Sequence, residues 1–394
     1  MTSTLSTAIG SWTTTDDQET AVAWDGQHDG AVLLTDGTVL VAGGADASSA
    51  AVARTARFDP AAGDHGEWTE GPATMHTARR LHSATRLADG KVLVAGGTGV
   101  GNQFPAPGLA AAEIYDPVAR TWATTGALHT ARWGHSAALL ADGSVLVAGG
   151  TAVRSGQSVT ALRSAERWDP KNGTWTEVAP MTDARTGHPA IVLANGRVLV
   201  AGGSVPVGRD DEAALAYCEV YDPKGNAWTP TGNLLVPRTR HQAVAVSDTT
   251  ILVTGGSPPG PAGDGTFDPF SRSTAELFTV STGVWASAKP MPAGRGHHRA
   301  VALGSGKVLV MGGTDRVRDD AGYSSTLVYD AASGEWTAAP GLAVGRWAFA
   351  ATALADHRVL VTGGIVRTGL AAASATADEL TPSTEIFALT DDLS

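Results

Sequence analysis

The sequence is poor in the residues that build covalent or redox frameworks. Cys218 is the single cysteine among 394 residues, which excludes an internal disulfide and a thiolate metal cluster. Charged residues make up only 17% of the chain, scattered in sign, with a net charge of −11. Without a basic stripe to track phosphates, no nucleic-acid partner is expected. No apolar run approaches the ~20 residues that span a bilayer, so no membrane association is expected. The opening residues, Met1 to Trp12, lack the basic start and apolar core of a secretory signal, and a cytoplasmic location is the expectation.

Glycine, by contrast, is abundant, with 48 copies, and its placement is periodic. Val92-Leu93-Val94-Ala95-Gly96-Gly97 has six counterparts, ending in Gly43-Gly44, Gly149-Gly150, Gly202-Gly203, Gly255-Gly256, Gly312-Gly313 and Gly363-Gly364. Successive first glycines lie 53, 53, 53, 53, 57 and 51 residues apart, from 43 to 96 and so on to 363. Such a period marks one supersecondary unit repeated, each too small to bury its hydrophobic face alone. Length alone would suggest two or three domains. The repeat instead predicts a single β-propeller domain over residues 1–394.

One unit shows the grammar. His82 to Leu87 reads as a short strand a, Asp89-Gly90 as a two-residue hairpin turn, and Lys91 to Ala95 as strand b. That strand is apolar throughout, as a strand covered on both faces should be. Ala112-Glu113-Ile114-Tyr115 reads as strand c, Asp116-Pro117 as a turn, and Trp122 as the start of strand d. Strand d recurs at Trp68, Trp175, Trp228, Trp285 and Trp336. Four strands per unit, arranged radially, make a propeller. After Gly363-Gly364 a strand c follows at Glu385 to Leu389 without a Trp strand, whereas Ser11-Trp12-Thr13 stands before the first pair. The prediction is an all-β, seven-bladed propeller whose last blade is completed by the N-terminal strand, which removes a free sheet edge.

The paired glycines after an apolar strand, the aromatic-Asp-Pro turn and the Trp at fixed distance resemble the kelch repeat, from about Trp12 to Leu389. The chain is similar to the propellers of galactose-oxidase-like proteins and of bacterial single-domain kelch proteins. The resemblance implies a fold that hosts enzymes, sugar-binding modules and protein-binding platforms alike.

In such a blade the b–c and d–a connections share one face. The b–c loops are long, for example 98–111 and 204–217, and long loops in a compact repeat carry function or disorder; the site is expected there. Strand a is innermost, and the Arg-x-x-His pattern that opens it is expected to ring the channel mouth. The pattern comprises Arg79 and His82, Arg132 and His135, Arg185 and His188, Arg238 and His241, and Arg295 and His298. Blade seven departs with Arg346-Trp347-Ala348-Phe349, and blade one has only His28, out of register with Asp29.

Three roles are open to these histidines. They are repeat consensus groups bonding backbone within their own blade, or acid–base groups of a polar funnel in which the arginines anchor a ligand, or imidazole ligands to a metal. In galactose-oxidase-like proteins a copper-ligating His stands in a similar Arg-x-x-His-Ser context, matched by His82-Ser83 and His135-Ser136. That chemistry also needs a Tyr crosslinked to Cys, and Cys218 occupies a small strand-c position that reads as packing. No cofactor is therefore expected. Trp133, Trp347, Phe349 and, more loosely, Trp24 stand near the mouth as ligand-stacking or core residues. The loop cluster Arg209-Asp210-Asp211-Glu212 is a source of a general base or a partner contact. Glu113, Glu166, Glu219, Glu276 and Glu385 read as structural.

The functional expectation is a monomer binding a small polar ligand in the funnel, with non-redox acid–base chemistry such as isomerisation, cyclisation or elimination. The alternative is a platform for a protein partner without catalysis, and the second alternative a metal-dependent enzyme with the channel histidines as ligands.

Overall fold

A computed structural model describes residues 9–24, 30–71, 73–99, 107–153, 158–207, 212–257, 271–315, 320–374 and 377–390. Seven four-stranded antiparallel sheets succeed one another along the chain. Blade two is typical: strand a is Ser83–Arg86, b Val92–Ala95, c Ala112–Asp116 and d Thr121–Thr124. Its strand b is buried at every position, because its two faces meet different neighbours. Val92 and Val94 pack with Leu40 and Ala42 of blade one, while Leu93 and Ala95 pack with Val145 and Val147 of blade three. A run without polar alternation is what a central strand between two sheets requires.

Closure is as predicted. In blade seven, strand a is Ala350–Ala353, b Val359–Thr362 and c Thr384–Leu389. Strand d is Gly10–Thr14 from the other end of the chain, with Trp12 opposite Phe387. The pair recurs in five other blades as Phe58 with Trp68, Tyr115 with Trp122, Tyr221 with Trp228, Phe278 with Trp285 and Tyr329 with Trp336, centroids 4.9–5.2 Å apart. Each strand-d indole N–H then reaches the preceding blade: Trp122 donates to Thr55 Oγ1, Trp175 to the Gly126 carbonyl and Trp12 to the Pro340 carbonyl. The aromatic pair fixes the blade's outer edge, and the indole N–H ties that edge to its neighbour.

The d–a and b–c connections share a face, as their bridges show: Arg80 with Thr98, Trp133 with Thr151, Thr186 with Ser204 and Trp347 with Ile365. Three b–c loops fold into small hairpins that the sequence did not announce: Thr151–Val153 with Val159–Ala161, Ser204–Pro206 with Glu212–Ala214, and Ile365–Arg367 with Glu379–Leu380. Among the described residues no helix is long and apolar enough to cross a membrane.

Removal of residues 1–16 deletes strand d of blade seven and bares Phe387. The thermal transition of the truncated chain is expected to fall, and a synthetic peptide of residues 9–16 to raise it in a concentration-dependent way. An unchanged transition, measured by circular dichroism, would contradict this account of closure.

Candidate functional site

The local geometry begins at the paired glycines. A Cβ on Gly96 would lie 2.7 Å from the Arg132 carbonyl oxygen and 2.7 Å from His135 Cε1, both in the following blade. Its φ is +63° and that of Gly97 is +97°, so the backbone also demands glycine. The Gly97 N–H donates to the Arg132 carbonyl at 2.8 Å. The same bond runs from Gly44 to Arg79, Gly150 to Arg185, Gly203 to Arg238, Gly256 to Arg295, Gly313 to Arg346 and Gly364 to Val22, each at 2.9 Å.

This seam decides where the Arg-x-x-His side chains go. Arg79, Arg132, Arg185, Arg238, Arg295 and Arg346 are all buried, none more than 1% exposed. The Arg132 guanidinium donates to the carbonyls of Gly149 and Ser164, both at 2.9 Å, and to Glu166 Oε1 at 2.7 Å. Glu166 also accepts the His129 and Thr130 N–H groups, at 2.7 and 3.1 Å. The set repeats with Glu113, Glu219, Glu276 and Glu385. The strand-c glutamates are thus structural, as read. The ligand-anchoring role expected of the arginines is not supported by their placement, because all six are buried and their Nη groups are engaged inside the blade. Burial pushes the Glu113 carboxyl up. The His76 N–H and side chain and the Arg79 guanidinium outweigh it, leaving the carboxyl below its ordinary value.

Blade six shows the network incomplete. Leu327 stands where blades two to five and seven have Glu, opposite Val310 as Glu276 is opposite Val253. Arg295 keeps the Gly312 and Ser325 carbonyls and Ser325 Oγ, and sits 5.9 Å from the Tyr323 ring centroid. Burial without a carboxylate lowers its pKa to about 10.

The histidines point backwards. His135 Nε2 meets Ser83 Oγ at 3.0 Å, His188 Nε2 meets Ser136 Oγ at 2.9 Å, and His298 Nε2 meets Thr254 Oγ1 at 2.8 Å. His82 Nε2 meets the Ala42 carbonyl at 3.1 Å. Each partner lies in the preceding blade rather than the residue's own, which corrects the within-blade version of the structural reading. In blade four Pro189 replaces the serine, and His241 faces the Ala201 carbonyl. Desolvation, then the Arg238 charge, holds the His241 pKa well below the ordinary value. Desolvation does the same to His298, with Arg295 and Arg299 adding to it. The acid–base role expected of His135, His241 and His298 is not supported by their placement, since all three are buried between sheets and His241 and His298 are held in the neutral form. Only His188 borders the central cavity.

Phe349 and Trp24 fill the same socket, Phe349 with no ring nitrogen and Trp24 with a buried indole Nε1 that makes no hydrogen bond across the seam. A Cβ on Gly312 would meet Phe349 Cε1 at 2.5 Å, and one on Gly363 would meet Trp24 Cζ3 at 2.6 Å. Trp133, Trp347, Phe349 and Trp24 are all buried, so they pack between blades rather than offer stacking faces. His28, Asp29 and the cluster members Arg209, Asp210 and Asp211 lie outside the described residues. Glu212 lies within them, paired with Ser204 Oγ at 2.9 Å and with Arg240 at 3.3 Å.

Three features escaped the sequence reading. The residues before the histidines, Leu81, Gly134, Gly187, Arg240 and His297, with Ala348, all have positive φ. Their backbones form a chain around the axis: the Gly134 N–H donates to Leu81, Gly187 to Gly134, Arg240 to Gly187, His297 to Arg240 and Ala348 to His297. Arg299, buried in strand a of blade six, crosses two blades to donate to the carbonyls of Phe349 at 2.8 Å and Trp24 at 2.9 Å. The third is a cavity of about 490 Å³ lined by strand a of every blade.

The KLHDC2/KLHL20/DRC7 Kelch-repeats domain model matches residues 29–256, more than half of the chain. The protein belongs to the kelch-repeat family. Kelch-like protein 34 of Homo sapiens is 31% identical over 54% of this chain and 30% of its own length. Kelch-like protein 25 of Xenopus tropicalis is 29% identical over 61% and 38%. The chain thus spans about a third of the length of these relatives. Among solved structures, a fungal alcohol oxidase of the AA5 family in complex with copper superposes with a TM-score of 0.71 at 21% identity, covering 98% of this chain and 79% of that one. YjhT gives a TM-score of 0.57 at 16% identity, covering 77% of this chain and 93% of that one. Both likenesses concern the fold.

The kelch chain's own residues do not fit a copper centre of the galactose-oxidase kind. His82 and His135 turn to the preceding blade instead of converging. Cys218 packs among Leu199, Leu234 and Trp285 in a cluster without tyrosine, and burial raises its thiol pKa to about 11. Among the described residues no three His, Cys, Asp or Glu side chains gather.

Two outcomes follow from the seam. Glu166→Leu recreates blade six's vacancy around Arg132 and is expected to cost about 3–5 kcal/mol, read by urea denaturation, because it leaves a buried cation without its carboxylate. His241 is neutral when folded and gains a proton when unfolded. Its contribution is therefore present above the ordinary imidazole value of 6.5 and lost as pH falls below it. His241→Phe, copying Phe349, is expected to reduce the drop in melting temperature between pH 7.5 and about pH 5.

Proposed function

We propose that this kelch propeller is a protein-binding platform whose b–c loop face receives a partner surface. The observation that carries this reading is where its exposed large hydrophobics lie. Among the described residues these are Val118, Val192, Val207, Tyr217, Leu235, Val284 and Leu370. Val207, Tyr217 and Leu370 belong to b–c connections and Leu235 to a d–a connection, so four of the seven share the loop face. Leu370 is 85% exposed and Tyr217 52%. Scattered single hydrophobics are ordinary, but a set on one face rimmed by polar groups suits an interface. The rim is at hand in the Arg240–Glu212 pair and in Arg367 with Glu379.

The small-ligand funnel with acid–base chemistry has less support. The imidazoles that would perform it are lodged between blades and the guanidiniums inside their own blade, and those structural roles are consistent with their recurrence. Kelch-like relatives share the repeat, which is consistent with a recognition role without specifying a partner.

The test is affinity capture with quantitative mass spectrometry, comparing the wild-type chain with two variants. In the Tyr217→Ala, Leu235→Ser, Leu370→Ser variant, recovery of bound proteins is expected to fall about tenfold, the effect of losing one modest hot spot. In the opposite-face control, Val118→Ser with Val284→Ser, recovery is expected to hold. Equal profiles for both variants, with unchanged melting curves, would rule the platform out.

A further inference from the structure

The central cavity lies beneath the ring of left-handed residues and contains none of them. Its wall is a ring of small side chains that the register repeats around the axis. Ala31, Ala84, Ala137, Ala190, Ala243, Ala300 and Ala351 sit opposite Val41, Val94, Val147, Val200, Val253, Val310 and Val361. All of these alanines but Ala351 line the cavity, together with Val32, Ile191, Val244 and Val301. No lining residue carries a formal charge.

The two ends differ. At the inner end stand Ser136, His188 and Gln242, 2%, 0% and 6% exposed. Ser136 and His188 satisfy each other. Gln242 does not fit so well: its amide nitrogen makes one long bond, 3.4 Å to the His241 carbonyl, and its oxygen accepts none from the described residues. The equivalent position in blade six is Arg299, whose guanidinium is turned to the mouth carbonyls. At the outer end, Val192, Ala245 and Ala302 are exposed and also line a second cavity of about 340 Å³ among the a–b turns. The apolar wall therefore opens toward the a–b hairpin face, opposite the loop face.

We infer that the channel binds an unbranched aliphatic molecule with a neutral hydrogen-bonding head, seated head inward against Gln242. Its volume falls within the roughly 300–1,000 Å³ of ligand pockets, and small apolar side chains with a few polar groups, here Ser136, His188, Gln242 and Thr352, are their usual lining. The amide of Gln242 can both donate and accept, so a primary amide or an alcohol complements it. A charged head would be stripped of water beside a wall with no opposite charge to receive it. Small wall residues leave room for a chain but hold no branched or aromatic body. The site is independent of the platform reading, which concerns the other face.

Calorimetric titration of the full chain with decanamide tests this, with decanoate as the charged arm. Saturable binding at one molecule per chain, with a negative heat-capacity change and decanoate at least about tenfold weaker, is the expected result. Gln242→Leu is expected to weaken the amide about tenfold without moving the melting curve. Ala243→Phe and Ala84→Leu, which narrow the channel from opposite walls, are expected to abolish binding. A decanamide carrying a diazirine at its chain end locates the site without substitution and should label residues 190–192 or 243–245. Absence of saturable binding, or label confined to the loop face or the outer strands, overturns the inference.

Discussion

The hydrogen bond from the second glycine of each pair to a carbonyl of the next blade, an arginine's in six seams and Val22's in the seventh, is the interaction on which the architecture depends. It requires the backbones of two sheets to approach within about the length of one bond, which no side chain permits. Everything around it is arranged to make that approach tolerable. The arginine whose carbonyl is used turns its side chain back into its own blade, and the strand-c glutamate neutralises it there. The imidazole three residues on fills the space that the missing Cβ leaves. Glycine, arginine, histidine and glutamate thus form one device, and removing any of them strands the others.

This explains why recurrence was a poor guide to chemistry. Five Arg-x-x-His copies, with a sixth arginine in blade seven, invite a reading as a funnel of titratable groups, but each copy does the same structural work at its own seam. Where a member is absent, its partners change in a correlated way: blade one has Val22 and Ala56 in place of both arginine and glutamate, and blade six offers Tyr323 where it lacks the acid. The arginines, histidines and glutamates visible in the sequence are engaged in cohesion, which is why recognition is proposed for the loop face and for the channel wall.

The blade count and its closure were legible because glycine and tryptophan report constraints that act in the chain's own frame: positive φ, absence of Cβ, and an aromatic opposite an aromatic across a c–d hairpin. The direction of the histidines was not, because it turns on the residue just before each of them. A left-handed residue there swings the imidazole away from the axis, and at Leu81, Arg240 and His297 that conformation is imposed by the backbone ring against the residue's own preference. Gly134 and Gly187 at the same position were the available clue. The constant separation of 34 between Arg79 and Glu113, Arg132 and Glu166, and Arg185 and Glu219 was another, pointing to a pair within one blade. Gln242 carried no clue, since its significance comes only from its place in a ring of otherwise small side chains.

Closing blade seven with a strand from the far end of the chain has a consequence for how the molecule comes into being. Within the propeller Gly10–Thr14 is made before every other described strand, yet its partner Thr384–Leu389 is made after all the rest. Until the last strand is made the growing propeller is an open arc with an unpaired strand on one side and a raw sheet on the other. Trp68 of the first blade waits equally long for Thr384. Joining strands so distant along the propeller costs the loop-closure entropy of nearly its whole length in one step, so this junction is expected to form late in assembly.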